Sequence, residues 1–180
     1  MGILKMARAI LHRPIRRSAL LIACALIVLA LGTVPRLEPS AHAAERVVLA
    51  VFVAKDSALQ GVKMTELRRI FTNADDSGFS GERNTPFNHT ARSSDRVGFD
   101  RTVLHMSPEE VSRFWIDRKI RGLPGPPRAV DSLSQLLRLV SRQSGGIGYA
   151  RRAQVTSDVR VIRVDGKLPS EAGYPLEFNE

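Results

Sequence analysis

Two adjacent serines between arginines, in Arg92-Ser93-Ser94-Asp95-Arg96, are the residues of this sequence best suited to holding a ligand. Where a helix begins, its first N–H groups are unpaired and its dipole is positive, so an anion is attracted there. Serine hydroxyls can donate to such an anion, and Arg92 or Arg96 can add charge-assisted bonds. Asp95 points the other way. With Ser94 as N-cap, an acid in the first turn satisfies the helix dipole by itself. Read locally, the segment is first a helix cap and second an oxyanion site.

Other chemistry finds less support. The sequence has no G-x-S-x-G, H-E-x-x-H or phosphate-loop motif and no complete G-x-G-x-x-G. Gly146 and Gly148 precede a strand, whereas a dinucleotide fingerprint follows one. Asp75–Asp76 reads as a solvated turn, because the EF-hand spacing is missing. His105 reads as a local helix-end residue and Trp115 as core. The reading is of a non-enzyme with no metal and no cofactor.

The elements that would position the serines follow from pattern. Residues 46–54, RVVLAVFVA, form a nearly continuous apolar, β-branched run, as in a strand buried on both faces. MTELRRIF predicts a short helix capped by Thr65, with Leu67, Ile70 and Phe71 on one face. TPFNH predicts a strand from Pro86, and Ser94 opens a helix to about Leu104, with Phe99 and Val103 inward. Ser107 to Glu110 is a capping box with Pro108 at the first helical position, followed by the apolar stripe Val111, Phe114 and Trp115. Asp131 or Ser132 caps a further helix carrying Leu133, Leu136, Leu137 and Val140. GGIGYA leads from a turn into a strand, VRVIRV alternates as a half-exposed strand, and the tail from Gly166 reads as loose. Strands alternating with helices predict an α/β fold, a mixed or mostly parallel sheet with flanking helices.

The N-terminus carries its own signal. Residues 1–17 hold five basic residues and no acid, residues 19–32 are apolar, and AHAA follows a polar stretch. This is the tripartite pattern of a secretory signal peptide, with cleavage expected after Ala43. An uncleaved anchor is the alternative, although the apolar run is short of the roughly 20 residues of a membrane span. Residues 44–180 are then the mature periplasmic domain. Removing the leader leaves 21 basic and 17 acidic residues, a net charge of +4, too modest for a nucleic-acid footprint. The sole cysteine, Cys24, lies in the leader, so the mature part has no disulfide and no cysteine metal site.

Taken in order, the opening strand, ELRRIF, the Gly-containing loop with Phe79, TPFNH, the serine loop before Phe99, FW at 114–115, GLPGPPRAV and GGIGYA resemble one family. They are similar to the short phosphate ABC-transporter substrate-binding-like proteins of the type 2 periplasmic-binding superfamily, over about residues 46–165. The resemblance implies a periplasmic lobe of the kind that, paired, closes over an oxyanion. The family's anion loop is Ser-Gly-Thr before a Phe. Aligned on Phe99, Ser93 takes the serine, Ser94 the glycine and Asp95 the threonine position. Ser93 and Ser94 are then the expected donors and Arg92 or Arg96 the charge, with Asp56 and Ser57 of the first loop on the other side. The resemblance implies phosphate or another small oxyanion as ligand and an ABC-transporter membrane component or other envelope protein as partner. Asp95 and the single-lobe length leave a second expectation, a ligand-free scaffold that binds a membrane or sensor protein.

Overall fold

The apolar run of residues 46–54 becomes strand β1, Arg46–Val53, buried on both faces. Its residues alternate between two cores. Val47, Leu49, Val51 and Val53 face one cluster, and Phe52 faces the other. The computed structural model describes residues 45–73, 78–79 and 82–180. The expected leader and the Asp75–Asp76 turn lie outside the described residues.

The chain continues through β2 (Gly61–Val62), α1 (Met64–Thr72), β3 (Gly78–Phe79), β4 (Glu82–Arg83) and β5 (Thr85–His89). Next come α2 (Ser94–Phe99), α3 (Pro108–Ile120), β6 (Arg128–Val130), α4 (Leu133–Arg142) and β7 (Gly146–Arg151). β8 (Arg160–Val161), β9 (Arg163–Val164) and β10 (Glu177–Asn179) complete it. The main sheet has the order β10-β1-β7-β5-β6, with β8 also on β1. β5 runs parallel to β6 and β7, and β1 runs antiparallel to β7, β8 and β10, so the sheet is mixed.

Helices cover both faces. Leu67, Ile70 and Phe71 of α1, with Phe99 of α2, pack on one side against Ile147 and Tyr149. Leu136, Leu137 and Val140 of α4 pack on the other against Phe52, Phe87 and Ala150. The α/β class read from alternating patterns is therefore the architecture found.

The ends of elements differ from the pattern reading. α1 begins at Met64 rather than after a Thr65 cap. Its first N–H donates to the Asp165 carboxylate at 2.9 Å, a cap supplied from 101 residues away. β5 starts at Thr85 rather than Pro86. The N-cap of α2 is Ser93, not Ser94, and the segment to Leu104 widens into a π turn over Asp100–Leu104. VRVIRV is not one strand, because β8 pairs with β1 while β9 pairs with β2.

The tail is also ordered. Tyr174 and Leu176 are buried, and β10 lies along Arg46–Val48. Phe178 sits over Gly98, where an added methyl group would stand 2.2 Å from the ring. This differs from the loose tail expected from its Gly and Pro, which flank a short edge strand that is only half apolar. Gly145 is required at φ +74°, and there a Cβ would meet the Arg83 carbonyl oxygen at 2.2 Å.

The α3 capping box forms as expected. The Glu110 N–H donates to Ser107 Oγ at 3.3 Å, and the Ser107 N–H donates to the Glu110 carboxylate at 2.7 Å. Ser107→Ala is expected to lower the unfolding free energy by about 1 kcal/mol, measured by urea denaturation.

Candidate functional site

The serine loop leaves the C-terminal end of β5 and turns into α2. The Ser93 N–H donates to the Thr90 carbonyl at 3.0 Å, which closes the turn. Ser93 is the N-cap, but its side chain makes no capping bond, and it is half-buried. Ser94 and Arg92 are exposed, whereas Asp95 and Arg96 are buried.

Asp95 turns inward. At 8% exposure its carboxylate accepts from Arg151 Nε at 2.8 Å. Arg151 also donates to Ser94 Oγ at 2.9 Å and to the Glu180 carboxylate at 2.7 Å. One guanidinium thus gathers a hydroxyl and two carboxylates at the head of α2. Hydrogen bonds from Arg151 to Asp95, then to Glu180, hold the guanidinium pKa above its ordinary value. The Ser94 hydroxyl and Arg151 hold the Glu180 carboxyl below the usual glutamate range.

The topology accounts for this meeting. Thr85 pairs with Gly146 and Pro86 with Ile147 in parallel register, and the same offset sets Arg151 level with Thr90. The residue after the buried GIGYA run therefore emerges beside the serine loop. Sequence reading did not single out Arg151, which lies 56 positions from Asp95. The available signal was the pair of buried strands: if TPFNH and GGIGYA are parallel neighbours, the first charged residue after each shares one end of the sheet.

Arg96 is committed elsewhere. Its Nε donates to Asp100 at 2.5 Å, in an i,i+4 pair whose side chains are 8% and 6% exposed. Its guanidinium also reaches the His89 carbonyl at 3.4 Å. Burial raises the Asp100 pKa, and the neighbouring Arg96 opposes that rise. Asp100 Oδ1 has no partner among the described residues. Arg96 is therefore not a free cation facing the loop.

Ser57 is not brought to the serine loop. Val53, Ile147 and Pro86 lie level with one another, at the end of the sheet opposite to Ser93. Ser57, four residues beyond Val53, is buried there, and its Oγ accepts from the Leu59 N–H at 3.2 Å. Its carbonyl accepts from Arg160. The expected far wall of the site fails because β1 runs antiparallel to β5. Asp56 is exposed at that same end. Ser93, Ser94 and Arg92 remain together.

A groove of about 580 Å³ lies near Arg151, lined by Glu45–Val48, Arg151, Arg152 and Ala153. None of the expected ligand-binding serines lines it. No three His, Cys, Asp or Glu side chains gather as a metal site among the described residues. Among the same residues no helix is long and apolar enough to cross a membrane.

Because the folded Glu180 pKa lies below its ordinary value, the Glu180–Arg151 bond contributes stability above about pH 4 and loses it as pH falls through the folded value. The protection factor of the Glu180 amide against hydrogen exchange, set by its bond to the Glu45 carbonyl at 3.1 Å, should fall on acidification. Glu180→Gln should flatten that dependence.

No protein-family model matches the chain, and no curated protein matches its sequence. Solved structures do match its fold. An ABC-type phosphate transport receptor from Vibrio cholerae superposes with a TM-score of 0.59 at 16% identity, over 74% of this chain and 55% of the receptor. A putative phosphate ABC transporter substrate-binding protein with bound phosphate, from Clostridium perfringens, gives 0.59 at 17%, over 74% and 54%. PstS from Borrelia burgdorferi gives 0.57 at 12%, over 74% and 55%. The chain spans about half the length of each. Its mixed sheet and flanking helices are the fold it shares with these structures over the matched part.

Proposed function

We propose that this chain is an exported, non-enzymatic protein of the solute-binding fold, working beside ABC-type transport as a scaffold for an envelope protein partner. In this reading it does not capture free phosphate. The observation that carries the reading is the inward, Arg151-paired carboxylate of Asp95 in the first turn of α2. A carboxylate there provides the negative charge that the helix start and the guanidinium would otherwise offer to a ligand. An arriving phosphate would meet Asp95 and Glu180 on the same cation, and two anions that close repel. Similarity to transport receptors rather than enzymes favours the non-enzymatic part. Export rests on the leader pattern and on the receptor fold.

A second reading keeps the ligand. The Ser93 hydroxyl makes no capping bond, and Arg92 is exposed beside it, so a small oxyanion could use both. Calorimetry separates the two. Phosphate titrated into the native protein should give no saturable heat up to about 10 mM, a limit of under roughly 3 kcal/mol of binding. Asp95→Thr, which removes the competing carboxylate and restores a hydroxyl, should bind phosphate measurably. Saturable heat in the native protein, abolished by Ser93→Ala, would favour the second reading.

A further inference from the structure

α4 covers the sheet face opposite to the one that α2 covers. Its buried stripe is Leu136, Leu137 and Val140. Beside that stripe Ser134, Arg138 and Ser141 recur at helical spacing, and Arg142 lies one turn after Arg138. These four residues, with Lys55 from the turn after β1, line a cavity of about 430 Å³. The register brings Lys55 there. Val53 pairs with Arg160 in antiparallel register, and the same offset sets Lys55 level with Asp158, which also lines the cavity. Val53 lies level with Ile147 at the end of the sheet opposite to Ser93, so this cavity is separate from the serine loop.

The charge around the cavity is one-sided. Residues 132–157 contain no Asp and no Glu. Lys55, Arg138 and Arg142 are exposed and enter no salt bridge among the described residues. Asp158 is the one acid among the described residues that line the cavity, and its carboxylate accepts from Thr156 Oγ1 at 3.2 Å. Like charges gathered at one concavity repel, and an anion bound among them relieves that repulsion. A hydroxyl is also at hand. Ser134 Oγ shares a bond with Ser132 Oγ at 3.3 Å, and Ser132 Oγ accepts the Gln135 N–H. With Ser132 donating to Ser134, the Ser134 hydrogen is left for a ligand.

We infer that this cavity binds a small, multiply charged oxyanion, a soluble molecule whose phosphate or carboxylate groups meet Lys55 from the β1 turn and Arg138 and Arg142 from α4. A volume of about 430 Å³ suits a molecule larger than a single phosphate. Cations supplied by two separate elements call for more than one anionic group. They converge on one concavity instead of running along a face, which sets the site apart from a nucleic-acid track. The inference does not depend on the state of the serine loop.

The test uses the full chain in calorimetry with inorganic pyrophosphate and with citrate, each compared with inorganic phosphate. Pyrophosphate or citrate should bind saturably with a Kd below about 1 mM, whereas inorganic phosphate should not saturate by about 10 mM. Tighter pyrophosphate assigns the phosphate-bearing class, and tighter citrate the carboxylate-bearing one. Arg138→Gln with Arg142→Gln should weaken binding at least about tenfold, as expected for losing two charge-assisted partners. Both side chains are exposed, so the fold is expected to survive the change. Asp158→Asn should tighten binding, and Ser93→Ala should leave it unchanged. The amide signals of Ser134, Arg138 and Ser141 should move saturably while those of Ser93 to Arg96 stay in place. No saturable heat with either probe, equal affinity in the double variant, or movement confined to Ser93 to Arg96 would overturn the inference.

Discussion

Replacing Arg96 with Met is expected to cost about 3–5 kcal/mol of unfolding free energy, because it leaves the Asp100 charge buried and unpaired. The pair is enclosed, with side chains 8% and 6% exposed, and Asp100 Oδ1 has no partner among the described residues. Burial pushes the Asp100 pKa up, and removing Arg96 takes away the charge that opposes this rise. Converting both residues to apolar side chains, Arg96→Met with Asp100→Leu, should recover most of the loss, since a buried ion pair and a packed apolar pair are often close in energy. Urea denaturation of the single and double variants measures this. A single variant within about 1 kcal/mol of native would mean that Arg96 is not structurally committed and is available to a ligand after all.

Phe99→Ala carries the second large effect, also about 3–5 kcal/mol, as a buried aromatic lost from a packed core. Phe99 is fully buried, stacks on Tyr149 with centroids 3.8 Å apart and rings 6° from parallel, and meets Phe71 at 4.7 Å. Tyr149 in turn bonds Asn88 through its hydroxyl, and its carbonyl meets His89 Nε2 at 2.8 Å. Phe99 thus holds α2 against the two strands from which Arg151 and the serine loop emerge. Its loss should also loosen the Asp95–Arg151 contact. Thermal unfolding of the variant tests the packing, and a shift in the amide signals of Ser94 to Arg96 tests the coupling.

The same residues mark what sequence could and could not convey. Leu67, Ile70 and Phe71 recur at helical spacing, and Ser107 to Glu110 carries a local capping signature, so those elements were legible. The β1 run was readable as doubly buried because both of its faces are apolar. Strand direction was not readable. Nothing in RVVLAVFVA indicates that it runs antiparallel to TPFNH, and that one fact separates Ser57 from Ser93. The cap on α1 comes from Asp165, and the partner of Asp95 is Arg151, both long-range contacts without a local pattern. The order of the tail is not legible in sequence because short edge strands carry little apolar periodicity, while Leu176 and Tyr174 do their packing as single residues. Asp95 is recognisable in the sequence as a departure from the Ser-Gly-Thr loop that the resemblance implies. Its inward direction required the structure.

In the proposed function the Asp95 carboxylate, bound to Arg151, fills the role an anion would take at the head of α2. The most direct measurement is a phosphate titration of the native protein followed through the amide signals of Ser93, Ser94, Asp95 and Arg96. No saturable movement of these four signals is expected in the native protein, and saturable movement is expected in Asp95→Thr. Saturable shifts at Ser93 and Ser94 in the native protein, with the Asp95–Arg151 contact released as phosphate binds, would contradict it.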